Sequence, residues 1–332
     1  MHPAIYDRFE DAYLTVLGHV LHKYEYRPTP RGAPASECLN ISFTLRDPRN
    51  RIVYLPQRRT NIVFCYAELL WYLTGRDDLN MIGYYAPKMR NYSSDGQRMT
   101  GTAYGPKLFG RHHPEGAGQW DRIVDLLAHD PGSKRAVISI FDPAELEKPD
   151  NPDVSCTIAL QFLLRGGCLH AVTFMRGNDA VTGLLSDVFS FTALQEFTAH
   201  HLGVPLGTYT HHVASMHIND TDADRAATIF AADRPRASFP VIAMPPTRWS
   251  DLDLITRYEQ ALRLGEQQLS LRDLAWQSFQ PYWQQVILLL EVYRQIRHTD
   301  HPITPGVLNA LDAGHRWLIA NRWPSRIPRD AA

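Results

Sequence analysis

Cys156 stands in the run Val154-Ser155-Cys156-Thr157, at the entry to a β-prone segment and directly after a Pro/Asp-rich stretch, residues 148–154. A thiol there is either a small buried apolar group or a nucleophile, and a nucleophilic thiolate needs positive charge nearby to lower its pKa. Lys134-Arg135 before one strand-like run and Arg176 at the end of another can supply that charge. Arg176-Gly177-Asn178-Asp179, followed by Gly183 and Asp187, gathers an arginine, turn-forming residues and two carboxylates into a short stretch. Asp179 and Asp187 suit a turn and a helix N-cap. The same set could hold a phosphate beside a heterocycle. Glu68 lies between Ala67 and Leu69-Leu70-Trp71. A carboxylate among such neighbours needs a partner or a task, because an unpaired buried charge is costly.

Three patterns are excluded. Gly101-Thr102-Ala103-Tyr104-Gly105 is no phosphate loop, since no Gly-Lys-Ser/Thr follows, and no GxGxxG follows a strand. His211, His212 and His217 lack the companions of a zinc site, so no metal is expected.

The elements that must position these residues follow from periodicity. Residues 4–23 read as an amphipathic helix, 26–36 as a Pro-containing loop and 39–45 as an alternating strand. Thr60 is placed to cap a helix over 61–73, apolar nearly all round and so buried. Residues 83–117 form a long, polar, Gly- and Tyr-rich loop of the kind that is usually functional. Strands are expected over 135–141, 158–164, 169–175 and 208–218, with Arg165-Gly166-Gly167 as a hairpin turn. A helix is expected over 188–202, stopped by Gly203. Helices at about 222–233, 249–268, 270–297 and 305–322 complete an α+β chain with a mainly antiparallel sheet and a helical C-terminal third.

The 332 residues carry 34 basic and 35 acidic side chains, a net charge of −1. No global field holds nucleic acid or an anionic membrane, and the apolar runs are too short to span a bilayer. Cysteines at 38, 65, 156 and 168 form no CxxC pair, which argues against a zinc ribbon or disulfide scaffold and for a reducing compartment. The first residues include acidic side chains and no apolar signal core, so a cytoplasmic protein is expected.

In order along residues 25–220, these pieces resemble the folate-dependent thymidylate synthase family. Glu68-Leu69-Leu70-Trp71-Tyr72-Leu73 resembles its glutamate helix and Tyr104-Gly105 its tyrosine-glycine loop. Ser133-Lys134-Arg135 resembles its paired basic residues, and Cys156 with Gln161-Phe162 its nucleophile strand. Arg176-Gly177-Asn178-Asp179 with Gly183 is similar to its Arg-Ser-x-Asp and Leu-Gly signatures, and His217 falls in its sugar-binding strand. The resemblance implies a single thymidylate-synthase-like catalytic domain over 1–332, with a mixed or mainly antiparallel sheet. One sheet face would form a homodimer interface, and a divergent helical third would cover about 222–332 without the family's usual tail.

It also implies roles. Cys156, Glu68, Tyr104 and Asp187 would be catalytic. Arg31 (or Arg27), Arg176 and Gly177 would meet the phosphate, with Lys134 and Arg135 lent by the other subunit. Asp187, Thr157, His217 and Asn219 would meet base and sugar, and Asp179, Gly183 and Arg90 the folate co-substrate, 5,10-methylenetetrahydrofolate.

Departures from the family pattern surround the base, sugar and water path. Asp187 stands where the family reads uracil with asparagine, and Thr157 replaces a histidine. Arg90 or Tyr92 falls where a tryptophan shields the folate intermediate. Gly177 replaces a serine and Asn219 a tyrosine. This pattern is similar to the cytidylate hydroxymethylase branch, which includes phage deoxycytidylate and antibiotic-pathway enzymes. It implies 5-hydroxymethylation of CMP, favoured over dCMP. Thymidylate synthesis from dUMP and a noncatalytic nucleotide- or RNA-binding relative are the competing readings.

Overall fold

A computed structural model describes residues 2–110, 118–232, 237–272 and 274–328. Among them seven strands form one mixed sheet: β1 (Ala4–Tyr6), β2 (Ala35–Leu45), β3 (Val137–Ser139), β4 (Thr157–Arg165), β5 (Cys168–Met175), β6 (Asn178–Asp179) and β7 (Leu206–Asn219). Their order is β1-β2-β7-β5-β4-β3, with β6 attached to β7. β2 with β7, β5 with β4 and β4 with β3 run antiparallel. β1 with β2 and both β5 and β6 with β7 run parallel. The helices are α1 (Phe9–Lys23), α2 (Ile62–Leu73), α3 (Leu79–Tyr85), α4 (Tyr104–Phe109), α5 (Gln119–His129), α6 (Gly183–Leu202), α7 (Ala223–Phe230), α8 (Trp249–Leu264), α9 (Leu274–Gln277), α10 (Pro281–His298), α11 (Pro305–Ala310) and α12 (Ala313–Arg322). None of the described helices is long and apolar enough to cross a membrane.

The β4–β5 hairpin forms as expected. Gly166 and Gly167 hold φ of 56° and 76°, the backbone that lets a two-residue turn match the twist of its strands. Elsewhere tertiary context moved the boundaries. The first three residues of the expected 4–23 helix pair with β2 instead, and Phe9 N then bonds to Asn50 O. β2 begins at Ala35, inside the expected loop, because β7 offers it a partner as far as Asn219. Asn61, not Thr60, caps α2 by accepting from Phe64 N, while Thr60 Oγ1 donates to Val53 O. The expected 305–322 helix breaks at Leu311-Asp312, where Asp312 accepts from His315 N and starts α12.

Two features set up the site. α2 is buried along all but one of its positions and packs on α6, so side chains between them leave water. In β7 the buried positions change parity, from Tyr209, His211 and Val213 to Met216 and Ile218. β2 changes with it, from Phe43 and Leu45 to Cys38, at Asn40 with φ of 55°. Because strand side chains alternate between faces, this switch turns His217 and Asn219 out of the core. The opposite sheet face stays open: Phe174 is 37% exposed and stacks on His212 at 5.5 Å.

Candidate active site

Cys156 immediately precedes β4, and Arg176 immediately follows β5. The Thr157–Met175 pair between those strands makes them neighbours. Arg176 N donates to Cys156 O (2.9 Å), Nε to Ser155 O (2.8 Å) and Nη2 to Val154 O (2.9 Å), with Nη2 3.8 Å from Cys156 Sγ. The Cys156 side chain is exposed and so open to a substrate, yet the surrounding protein strips enough water to push its thiol up. Arg176 and Arg31 pull the other way, while Asp187 and Asp153 add to the rise. The expectation that flanking cations would favour the thiolate is thus met in direction but outweighed by desolvation. Arg31 donates to Asn151 O (3.0 Å) and Pro152 O (3.3 Å), on the approach to Cys156. Arg27 instead pairs with Asp220 (2.7 Å) and Ser36.

Glu68 of α2 faces α6. Ser190 Oγ donates to its Oε2 at 3.1 Å, and Tyr72, one helical turn on, donates its hydroxyl to Thr102 O at 3.3 Å. Burial, then the charge of Asp187, pushes Glu68 up to about 8. Asp187 lies inside α6, three residues before Ser190 on the same helical face; it is no N-cap, because the helix starts at Gly183. Asp187 keeps some solvent contact by surface area, but close packing dominates its titration. Burial raises it to about 7, Asn178 Nδ2 donating to Oδ2 (2.8 Å) opposes this, and Asp179 adds to the rise. Among the described residues no side-chain ion pair with a cation holds either acid, and the charge of Asp187 disfavours ionisation of Glu68.

Tyr104 opens α4, 2% exposed, between the rings of Tyr72 (5.2 Å) and Phe191 (6.0 Å). Its hydroxyl is 3.4 Å from Thr157 N, which donates to it. At the far end β6 pairs Asp179 with His217. Asp179 Oδ1 accepts from Val181 N and Thr182 N, and Oδ2 from Asn219 Nδ2 (3.1 Å). Thr157 Oγ1 and Asn178 Oδ1 are buried with no hydrogen-bond partner among the described residues. A thiol, a guanidinium, a buried phenol and two proton-holding acids form an arrangement suited to adding a nucleophile to an unsaturated ring and moving protons around it.

The thymidylate synthase family model matches residues 11–261. The chain belongs to the thymidylate synthase family. The matched span exceeds the 25–220 of the motifs and ends inside α8, within the C-terminal third. Deoxyuridylate hydroxymethyltransferase of Delftia phage PhiW-14 is 28% identical over 207 residues, 59% of this chain and 56% of that protein. The protein of the same name from Bacillus phage SP01 is 27% identical, over 62% of this chain and 56% of that protein. A putative thymidylate synthase of Methanocaldococcus jannaschii is 37% identical over 33% of this chain and 51% of its own length. The chain spans about half the length of the curated relatives it matches.

Within this thymidylate synthase fold, several expected site residues lie apart from Cys156. Lys134 and Arg135 are exposed before β3, and Arg135 faces Asp130 at 3.5 Å. Arg90 lies over Gly83 and lines a separate depression with Arg76, Asp78, Arg263 and Arg297. Gly177 approaches Ser215 O, and Gly183 opens towards Asp187, Asp179 and Asn178. The sequence reading gave no role to Asn178, Ser190 or Tyr72. Helical spacing marks the last two: Ser190 follows Asp187 by three and Tyr72 follows Glu68 by four. Nothing local marks Asn178 as the partner of Asp187.

Proposed function

We propose that this chain hydroxymethylates C5 of a cytidine monophosphate, CMP in preference to dCMP, using methylenetetrahydrofolate. The observation that carries the cytosine reading is Asn178 donating to Oδ2 of a raised Asp187. With Oδ2 accepting, the proton of the neutral acid belongs on Oδ1. The group then presents one donor and one acceptor, matching cytosine N3 and the N4 amino group.

Cys156 adds to C6, and C5 becomes nucleophilic. Bound folate supplies the one-carbon unit to C5. Glu68, through ordered water, and Tyr104 assist the proton transfers, including loss of the C5 proton, and tetrahydrofolate leaves. Water then adds to the exocyclic methylene on C5, and expulsion of Cys156 restores the ring. One nucleotide, one methylenetetrahydrofolate and one water thus give 5-hydroxymethyl nucleotide and tetrahydrofolate. Arg176 and Arg31 hold the phosphate, with Lys134 and Arg135 reaching in from a second subunit across the open sheet face around Phe174. Thr157 meets the base, and His217 and Asn219 the ribose. Gly177 leaves room at the phosphate, while Asp179, Gly183 and Arg90 meet the folate. Asp179 already accepts three internal bonds, so it offers the pterin only its remaining lone pairs.

The names of the phage relatives favour a second reading, hydroxymethylation of deoxyuridylate. Incubation with methylenetetrahydrofolate and each of CMP, dCMP, UMP and dUMP, followed by mass analysis, decides. Gain of CH2O on CMP is expected. Gain of CH2O on dUMP supports the second reading, gain of CH2 on dUMP means thymidylate synthesis, and no product removes the enzyme reading.

A further inference from the structure

Residues 153, 155 and 157 join the nucleophile segment to the segment carrying Tyr104. Asp153, 4% exposed, accepts from Thr100 N (2.7 Å), Gly101 N (2.8 Å), Thr102 N (2.8 Å) and the Thr102 hydroxyl. Ser155 Oγ lies 2.9 Å from Gly101 O and accepts from Lys107 Nζ of α4 (2.6 Å). Glu145 binds both Lys107 and Ser155 N. Thr157 N completes the series at Tyr104 Oη. The intervening Cys156 thiol faces Arg176. The segments touch so closely that a Cβ on Gly101 would lie 2.1 Å from Asp153 O.

We propose that Asp153 is a positioning residue: seated on the backbone of Thr100, Gly101 and Thr102, it sets how Tyr104 Oη faces Cys156. The inference rests on the reading of Cys156 as nucleophile and Tyr104 as the proton-moving hydroxyl. Its strongest support is that four donors of Thr100, Gly101 and Thr102 converge on this one buried carboxylate, while the charge of Asp153 itself opposes activation of the thiol. An acid beside the nucleophile that raises its pKa is of use through geometry, and three successive N–H groups aimed at one carboxylate fix that geometry tightly.

Asp153→Ala, Asp153→Asn and Thr102→Val test it, each checked for folding by thermal melt and near-UV circular dichroism. Two quantities are read. The first is kcat and KM for whichever nucleotide the wild-type protein converts. The second is the pH midpoint of Cys156 alkylation by iodoacetamide. We expect kcat to fall about 100-fold in Asp153→Ala, the scale of a small misplacement of reacting groups. The loss should be smaller in Asp153→Asn, smallest in Thr102→Val, and KM should hold. The alkylation midpoint should move to lower pH in both Asp153 variants and stay put in Thr102→Val. General loosening would also hydrate the thiol and lower its midpoint, so the pairing counts for Asp153 only where the melt and the near-UV spectrum stay wild-type. Wild-type kcat in Asp153→Ala, or a loss confined to KM, overturns the proposal. If Asp153→Ala does not fold, Thr102→Val, close in shape and missing only the hydroxyl, carries the test, and an unchanged kcat there overturns it. The alkylation arm needs no nucleotide. A missing wild-type product therefore counts against the functional reading, whereas an unmoved midpoint in Asp153→Asn counts against Asp153.

Discussion

Glu291 in the helical layer around α10 and Glu68 at the α2–α6 contact are both buried acids on long helices, but their surroundings differ. Glu291, 1% exposed, takes a two-pronged grip from Arg294 (2.7 Å to each oxygen), a bond from Gln295 (2.8 Å) and one from Leu269 N. Glu259 in α8 is held by Arg263, one turn on, through a single bond of 2.7 Å to Oε1, which also accepts from the Tyr85 hydroxyl. Glu68, 5% exposed, has one side-chain bond among the described residues, from Ser190, and the charge that acts on it is another acid's, Asp187. A buried acid with a cation in place is scaffolding. One that keeps its proton near neutrality is a reagent.

Substitutions can break or sharpen that contrast. The largest effect should come from Glu68→Gln, which keeps shape and hydrogen bonding but cannot exchange the proton. Turnover should fall by about 10²–10⁴-fold, the usual worth of a positioned acid–base group, with unfolding below pH 4 unaltered. Activity near wild type would make Glu68 scaffolding as well. Glu291→Ala should do the reverse. Leaving Arg294 buried and unpaired should cost about 3–5 kcal/mol in urea unfolding, while kcat per folded molecule persists. A specific loss of kcat in soluble, folded Glu291→Ala would merge the two regions.

Asp187→Asn comes next. It restores the amide pattern complementary to uracil, so the cytosine-to-uracil ratio of kcat/KM should drop by about 1–3 kcal/mol for each hydrogen bond left unmet. An unchanged ratio would mean that another residue reads the base. The last effect concerns pH. Folding raises Glu68 to about 8 and Asp187 to about 7, from the ordinary carboxylate range. The folded state therefore binds more protons than the unfolded one between those values. Stability from this pair is fully present below pH 4 and is lost as pH rises through 7 to 8. Urea midpoints measured from pH 5 to 8.5 should decline, and the decline should be shallower in Glu68→Gln. Parallel profiles would show that Glu68 ionises normally.

Much of this contrast is visible in the sequence. Arg263 and Arg294 stand four and three residues after their glutamates, within reach on a helix, whereas residues 64–72 hold no cation for Glu68. The order of strands along the chain, the Gly-Gly hairpin and the buried character of α2 are likewise local matters of periodicity and turn chemistry. What sequence reading missed depends on partners far away in the chain. Residues 4–6 become a strand because β2 has a free edge beside them. The start of α6 moves back to Gly183, taking Asp187 out of a capping role, because Asp179 already satisfies the N–H groups of Val181 and Thr182. The grip of Asp153 on Thr102 joins segments that share no motif.

β2 lies against β7 over almost its whole length, with Ala35 opposite Asn219. Their pairing is among the least local in the molecule, and contacts of that kind form late in folding, after the entropy of closing a long loop has been overcome. The same β7 carries His217 and anchors β6, on which Asp179 sits. A chain growing from the ribosome therefore displays Cys156 well before the strand that completes its surroundings has been made. Until β7 is threaded between β2 and β5, that cysteine is an ordinary thiol, and the burial that raises it comes only with the closed sheet.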